Sequence, residues 1–233
     1  MKASNANIAL VETVALHLGA LRSRVVFLGG ATIALLITDQ ATPYIRATDD
    51  VDVIVEVSSY GDYVNSLRSE LLNCGFREDR SEGAPICRWI VAKIKVDIMP
   101  TDEAILGFSN KWSHDALRYA TPFKLRNDLE IQLITAPYLI ATKIEAFHGR
   151  GNSDYLASHD LEDILRVIDG RSSIIDEIKN ANDNVRRYIV DQFARFLQIE
   201  AFLDAIAGHL LPDDFNQSRA EIIERRIRTI ANL

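Results

Sequence analysis

Between Asp50 and Val57 the chain alternates without a slip: Val51, Val53, Val55 and Val57 fall on one side, and Asp50, Asp52, Ile54 and Glu56 on the other. A period of two lays no apolar stripe along a helix, so this segment is committed to a half-buried strand that needs partners on either side. The same strand decides where two carboxylates go. Asp50 and Asp52 leave one face with Cα atoms roughly 6.6–6.8 Å apart, close enough to converge on one ion.

Other elements are expected around this strand. Ile8, Val11, Val14, Ala15 and Leu18 give Asn5–Leu21 the three-and-four spacing of a helix with one buried face. Arg24–Leu28 is a short β-branched and aromatic run stopping at Gly29-Gly30, and Ala31–Thr38 reads as the helix after that turn. The stretch Gln40–Thr48, with Pro43, has no period and reads as a loop. Ser58 or Ser59 caps a helix that buries Leu67, Leu71 and Leu72 and stops at Gly75. Ile86–Ala92, Lys93–Met99 and Glu130–Ile134 are further strand candidates. From Thr135 the periodicity becomes helical, over Tyr138–Phe147, Ser158–Ile168, Ile174–Ile178, Val185–His209 and Ser218–Ile230. The expected organisation is therefore an α/β domain over residues 1–134 and a helical domain over residues 135–233.

Composition narrows the function classes. With 48% hydrophobic and 25% charged residues, the 233-residue chain can bury a core without staples. Two cysteines, Cys74 and Cys87, cannot build a four-thiolate zinc site, and no apolar run approaches the roughly 20 residues of a membrane span. A reducing cytoplasm and no membrane partner are the expectation. The net charge of −7 is shared by both halves, with 14 Lys/Arg against 17 Asp/Glu in 1–134 and 12 against 16 in 135–233. That balance argues against a generic nucleic-acid binder, which needs a concentrated basic face. Arg186, Arg187, Arg225, Arg226 and Arg228 are the residues from which a local basic track could be built.

Asp97 alternates with Val96 and Ile98 as Asp52 does with Val51 and Val53. If the two strands are neighbours, three carboxylates meet on one sheet face, where their repulsion is relieved by hard divalent cations with oxygen ligands, most plausibly magnesium. Taken singly, each aspartate reads more readily as bland, with Asp49-Asp50 a polar turn entering the strand and Asp97 an exposed edge residue. A glycine pair at a strand end adds weight, because backbone N–H groups there can approach a phosphate. A dinucleotide-binding fingerprint is a poorer match, since the glycines do not follow its spacing and Asp52 has no task in it.

Leu28-Gly29-Gly30, the run from Arg46 through Thr48, Asp50 and Asp52 to Val53, and then Val96-Asp97-Ile98 resemble the signature of the DNA polymerase β-like nucleotidyltransferase superfamily. More narrowly, Lys143 to Arg150 followed by His159-Asp160 and Asp163-Ile164 is similar to two C-terminal motifs of the AbiEii/AbiGii toxin nucleotidyltransferases. The likeness runs in scattered motifs over about Val25–Ile168, and Asp49 stands where that family often has a basic residue.

The resemblance implies an α+β fold, with a mixed-sheet nucleotidyltransferase domain, a C-terminal helical domain and the active site in the cleft between them. It implies that Asp50, Asp52 and Asp97 are catalytic and hold two Mg2+ ions, with Asp97 helping to activate the attacking hydroxyl. Gly29 and Gly30 would bind the triphosphate, and Lys143 and Arg150, seven apart on one helix, would bind nucleotide phosphates. Asp160 and Asp163 would orient Lys143 or the base; read without the resemblance, these four are a charged helix hairpin. The implied activity is transfer of a nucleotidyl group from a nucleoside triphosphate to an acceptor hydroxyl, with an RNA such as a tRNA end as acceptor and a cognate antitoxin protein as partner. Two alternatives stand beside it: a nucleotidyltransferase that modifies a small antibiotic, and a non-catalytic binding protein that keeps the fold.

Overall fold

The computed structural model describes residues 3–39, 45–151 and 153–233. The chain is α+β with a seven-stranded mixed sheet. It divides into two compact units, one of Met1–Leu35 with Arg46–Thr135 and one of Leu36–Ile45 with Ala136–Leu233. Among the described residues no helix is long and apolar enough to cross a membrane.

In the first unit, α1 (Ala3–Leu18) buries Val11, Val14, Ala15 and Leu18, and ends where Gly19 takes a φ of +54° before a 3-10 turn. The strands are β1 (Val25–Leu28), β2 (Asp50–Val55), β3 (Arg77–Glu78), β4 (Arg88–Val91), β5 (Ile94–Pro100), β6 (Thr121–Lys124) and β7 (Glu130–Leu133), in the order β3-β4-β5-β2-β1-β7-β6. Pairing is parallel between β2 and β5 and between β1 and β7, and antiparallel elsewhere. The alternation in β2 does what its period requires: Val51 and Val53 are fully buried, while Asp50 and Asp52 remain partly accessible. Ile54 and Val55 are both buried, so the far end of the strand is covered on both faces.

Several elements differ from the expectation. The helix expected over Ala31–Thr38 is a 3-10 turn, Gly30–Thr32, and a single helical turn, α2 (Ile33–Leu36). The N–H groups of Thr38 and Asp39 bond to the Gly170 carbonyl instead of continuing the helix. Of the expected loop 40–48, residues 40–44 lie outside the described residues. The helix after Ser59 begins with a π-helical stretch, Asp62–Leu67, and continues as α3 (Arg68–Asn73), with the Ser59 hydroxyl accepting from the Asp62 N–H at 3.1 Å. Ala92 and Lys93, with φ of 48° and 69°, make the tight turn joining β4 to β5 without a glycine. Two short helices, α4 (Glu103–Leu106) and α5 (Ser113–Arg118), and the edge strands β3 and β6 carry too few residues to show a period. In β6, Pro122 sits on an outer strand, where a missing N–H costs no ladder bond.

The second unit comprises α6 (Ala136–Arg150), α7 (His159–Gly170), α8 (Ile174–Lys179), α9 (Asp183–Phe196), α10 (Glu200–Gly208) and α11 (Asp214–Ile230). Ser158 caps α7 by accepting from the Leu161 N–H, and Asp213 caps α11 by accepting from the Asn216 N–H. The single helix expected over Val185–His209 is two, because the chain turns at Leu197–Ile199 and brings Phe196 and Phe202 into stacked contact at 5.0 Å. The segment from Leu36 belongs to this unit rather than to residues 1–134: Arg171 donates to the Leu36 carbonyl at 2.7 Å, and buried Arg219 bonds both Asp39 and Asp169.

Candidate active site

The in-register parallel pairing of β2 with β5 sets Asp52 directly opposite Asp97, and Asp50 opposite Lys95. Paired residues in a ladder share a face, so Asp50, Asp52 and Asp97 all project from the same side of adjacent strands. Each has an identifiable support. Thr48 donates its hydroxyl to Asp50 at 2.6 Å. The loop carrying Thr48 is pinned from α1 by Asn7, whose amide donates to the Arg46 carbonyl at 2.8 Å and accepts from the Thr48 N–H at 3.2 Å.

Asp52 packs on the glycine turn. Gly29 has φ +77°, a left-handed conformation that already favours glycine, and a Cβ added there would stand 1.8 Å from an Asp52 carboxylate oxygen. The glycine therefore has two independent reasons to be one. The helix after it is only one turn long, too short to offer a helix dipole at its N-terminus.

Asp97 is held by Arg88, its antiparallel partner on β4. The guanidinium donates from Nε and Nη2 to the two carboxylate oxygens at 2.8 and 2.7 Å, and Nη2 stands 3.8 Å from Asp50. Hydrogen bonding to Asp97, with the charge of Asp50 added, holds Arg88 above even its usual range despite partial burial. Nearby Cys87 is buried and its thiol is pushed up to about 11, chiefly by desolvation, which removes it as a nucleophile.

Carboxylate oxygens on one face are the donor chemistry a hard divalent cation requires, so the residue types fit magnesium. The arrangement is not a preformed cage: among the described residues no three His, Cys, Asp or Glu side chains are gathered as a metal-holding group. Both oxygens of Asp97 are engaged by Arg88.

The second unit holds its own ion cluster. Lys143, on α6 and only 8% exposed, reaches Asp160 at 3.0 Å and Asp163 at 2.7 Å on α7. Arg150, whose side chain is 72% exposed, donates from Nε and Nη2 to both oxygens of Asp160 at 2.9 Å. The four residues named from the motifs are thus together, with Asp160 buried between the two cations and Asp163 buried against Lys143. Burial alone would raise the Asp160 carboxyl, but the hydrogen bond from Arg150 and the charges of Lys143 and Arg150 outweigh it and hold it below its ordinary range. Lys143 is neutralised within the cluster, and Arg150 is the member whose surface remains open. Among the arginines considered for a basic track, Arg226 donates to the carbonyls of Ile168 and Asp169, Arg228 pairs with Glu224, and Arg186 and Arg187 pair with Asp183.

No family model matches the chain, and neither does any curated protein.

Two residues of this architecture escaped sequence reasoning. Asn7 carried a signal, since it lies four positions before Val11 on the face α1 buries, and a polar residue at an apolar period marks a buried hydrogen-bonding task. Arg88 carried none, because only the β4–β5 register puts it opposite Asp97.

Proposed function

We propose that the chain transfers a nucleotidyl group from a nucleoside triphosphate to an acceptor hydroxyl, using Asp50, Asp52 and Asp97 as the acidic centre. The single observation that supports this reading is the placement of Asp52 opposite Asp97 on adjacent parallel strands, with Asp50 on the same face and Gly29 against Asp52. Asp50 and Asp52 would hold magnesium with Asp97 as the third ligand. The ions, when bound, neutralise charge developing on the transferring phosphoryl oxygens and on the pyrophosphate leaving group.

The chain's own residues carry the rest. Asp97 accepts the proton of the attacking hydroxyl as its oxygen bonds to the α-phosphorus and the bond to the β-phosphate oxygen breaks, releasing pyrophosphate. Thr48 and Asn7 orient Asp50, and Gly29 leaves the room that Asp52 occupies. Backbone N–H groups at Gly29 and Gly30 serve the triphosphate. On the second unit, Lys143 and Arg150 would bind a phosphate group, with Asp160 and Asp163 orienting Lys143.

An RNA end is the acceptor proposed first, on the toxin-like motifs around Lys143 and Asp160, with a cognate antitoxin as protein partner and the cytoplasm as the setting. A second reading, a small aminoglycoside or lincosamide acceptor, is favoured by the internal pairing of Arg186, Arg187, Arg226 and Arg228, which leaves less basic surface for a polyanion. Incubation with total RNA and each α-labelled triphosphate in magnesium tests both. A labelled tRNA-sized band, lost in Asp50→Asn, is the expected result. Label on the small molecule alone would establish the second reading, and label on neither would leave a non-catalytic binding protein.

A further inference from the structure

This inference rests on the nucleotidyl-transfer reading and names the surface that takes its acceptor. The ladder registers extend the carboxylate face out to the edge of the sheet: Asp50 stands opposite Lys95, Lys95 opposite Ile90, and Ile90 opposite Arg77. A second row beside it carries Asp52, Asp97 and Arg88. Every member of the two rows is half-buried or exposed, whereas Val51, Val53, Trp89, Val96 and Ile98 on the reverse face are buried. From β2 to β3 the carboxylates therefore stand on the bare side of the sheet. Lys95 and Arg77 are both exposed, and Lys93 is exposed at the turn that joins β4 to β5. Among the described residues none of these three has a side-chain hydrogen bond or ion pair. Asp79 feels the charge of Lys95 but gives its carboxylate to Ser81. Guarding an edge against strand pairing accounts for a cation on β3, the outermost strand, and not for Lys95, whose strand is paired on both sides.

We propose that Lys95, Arg77 and Lys93 form the track on which the phosphodiester chain of an RNA acceptor lies. The strand order gives the two substrates opposite sides of the carboxylates. Gly29 follows β1 on one side of β2, and the three cations follow from β5 outward on the other. A triphosphate served at the glycine turn leaves the β5 side to the acceptor, whose hydroxyl has to reach Asp97. Neighbouring strands lie about 4.8 Å apart, so Lys95 is one step from Asp50 and Arg77 is three, roughly 14 Å away. Cations spread over that span suit a chain of phosphates, each contact adding affinity without reading a base. An aminoglycoside, which carries ammonium groups of its own, gains nothing from them.

The test measures binding of a fluorescently labelled, mixed-sequence single-stranded RNA to the full chain by anisotropy across a salt series, in magnesium and without triphosphate. Wild type is compared with a variant carrying Arg77→Gln, Lys93→Gln and Lys95→Gln, and with one carrying Arg186→Gln and Arg187→Gln, the arginines that pair with Asp183 in the second unit. The first variant is expected to lose most of the affinity, and its slope of log affinity against log salt to be shallower by about 2, at about 0.7 for each phosphate contact on a single strand. The second is expected to keep the wild-type slope. Arg77→Lys with Lys95→Arg keeps both charges and should bind RNA as wild type does. Equal affinity and slope in wild type and the first variant, or equal losses in the first and second, overturns the inference and leaves the nucleotidyl-transfer reading standing with another acceptor surface. RNA that does not bind wild type at all overturns it in the same way. Wild type that binds RNA through these cations yet labels no acceptor in the transfer assay overturns the reading alone.

Discussion

The two units hold ionised clusters built on opposite plans. On the sheet of the first, Asp50, Asp52 and Asp97 share a face, and Arg88 closes on Asp97 from the neighbouring strand. Between α6 and α7 of the second, Lys143 and Arg150 meet Asp160 and Asp163, and the set is balanced. Three carboxylates crowded on one face repel one another, and taking one away relieves that repulsion. The balanced cluster gains nothing from a further ion and loses heavily if one member is removed, because its partners are then left charged in a buried place.

The largest effect expected from this contrast is on activity. Asp52→Asn should abolish nucleotidyl transfer in the labelling assay while leaving the thermal midpoint of the metal-free protein equal or higher, since one of three crowded like charges is gone. A clear fall in the midpoint would break the comparison by showing that the sheet cluster also holds the fold.

The counterpart, Asp160→Asn, should act in the reverse sense. Removing a carboxylate that both Lys143 and Arg150 contact is expected to cost about 3 kcal/mol of stability by denaturant titration. It should also change the acid limb of stability. Because the Asp160 carboxyl is held below its ordinary 3.8 in the folded chain, its contribution is fully present above that value and is lost as pH falls through the lower folded one. Asp160→Asn should therefore destabilise most at neutral pH and converge with wild type in strong acid, which a pair of unfolding curves would check.

A smaller effect is expected at Gly29→Ala, which places a Cβ against the Asp52 carboxylate and asks alanine to hold a left-handed φ. The backbone alone costs about 1–3 kcal/mol, and displacement of Asp52 should reduce transfer beyond what that loss explains. The smallest effect on transfer is expected at Asn7→Ala, which should cost about 1–3 kcal/mol of stability for the buried groups left unbonded. The activity of the folded fraction should fall with it, since Thr48 would no longer be held against Asp50; unchanged turnover would make Asn7 purely structural.

How far the sequence could be read follows from the range of each interaction. The face of Asp50 and Asp52 was legible because a period of two fixes side-chain direction within one strand, and so was the placing of Lys143 and Arg150 on one side of α6. The shortness of α2 was not, because Thr38 and Asp39 give their N–H groups to the distant Gly170 carbonyl. Nor was the break at Leu197–Ile199, where no glycine or proline interrupts the period and the stacking of Phe196 on Phe202 selects the turn.

The sequence by itself determined which residues are charged, which face of its own element each one leaves, and where the α/β pattern gives way to helices, since these depend on near neighbours along the chain. Only the tertiary structure decided that β2 and β5 run side by side in the register that sets Asp52 against Asp97, and that Arg88 closes on Asp97 from β4. Strand order and register are set by the packing of whole faces, and a slip of one residue in that packing would turn Asp97 to the other side of the sheet.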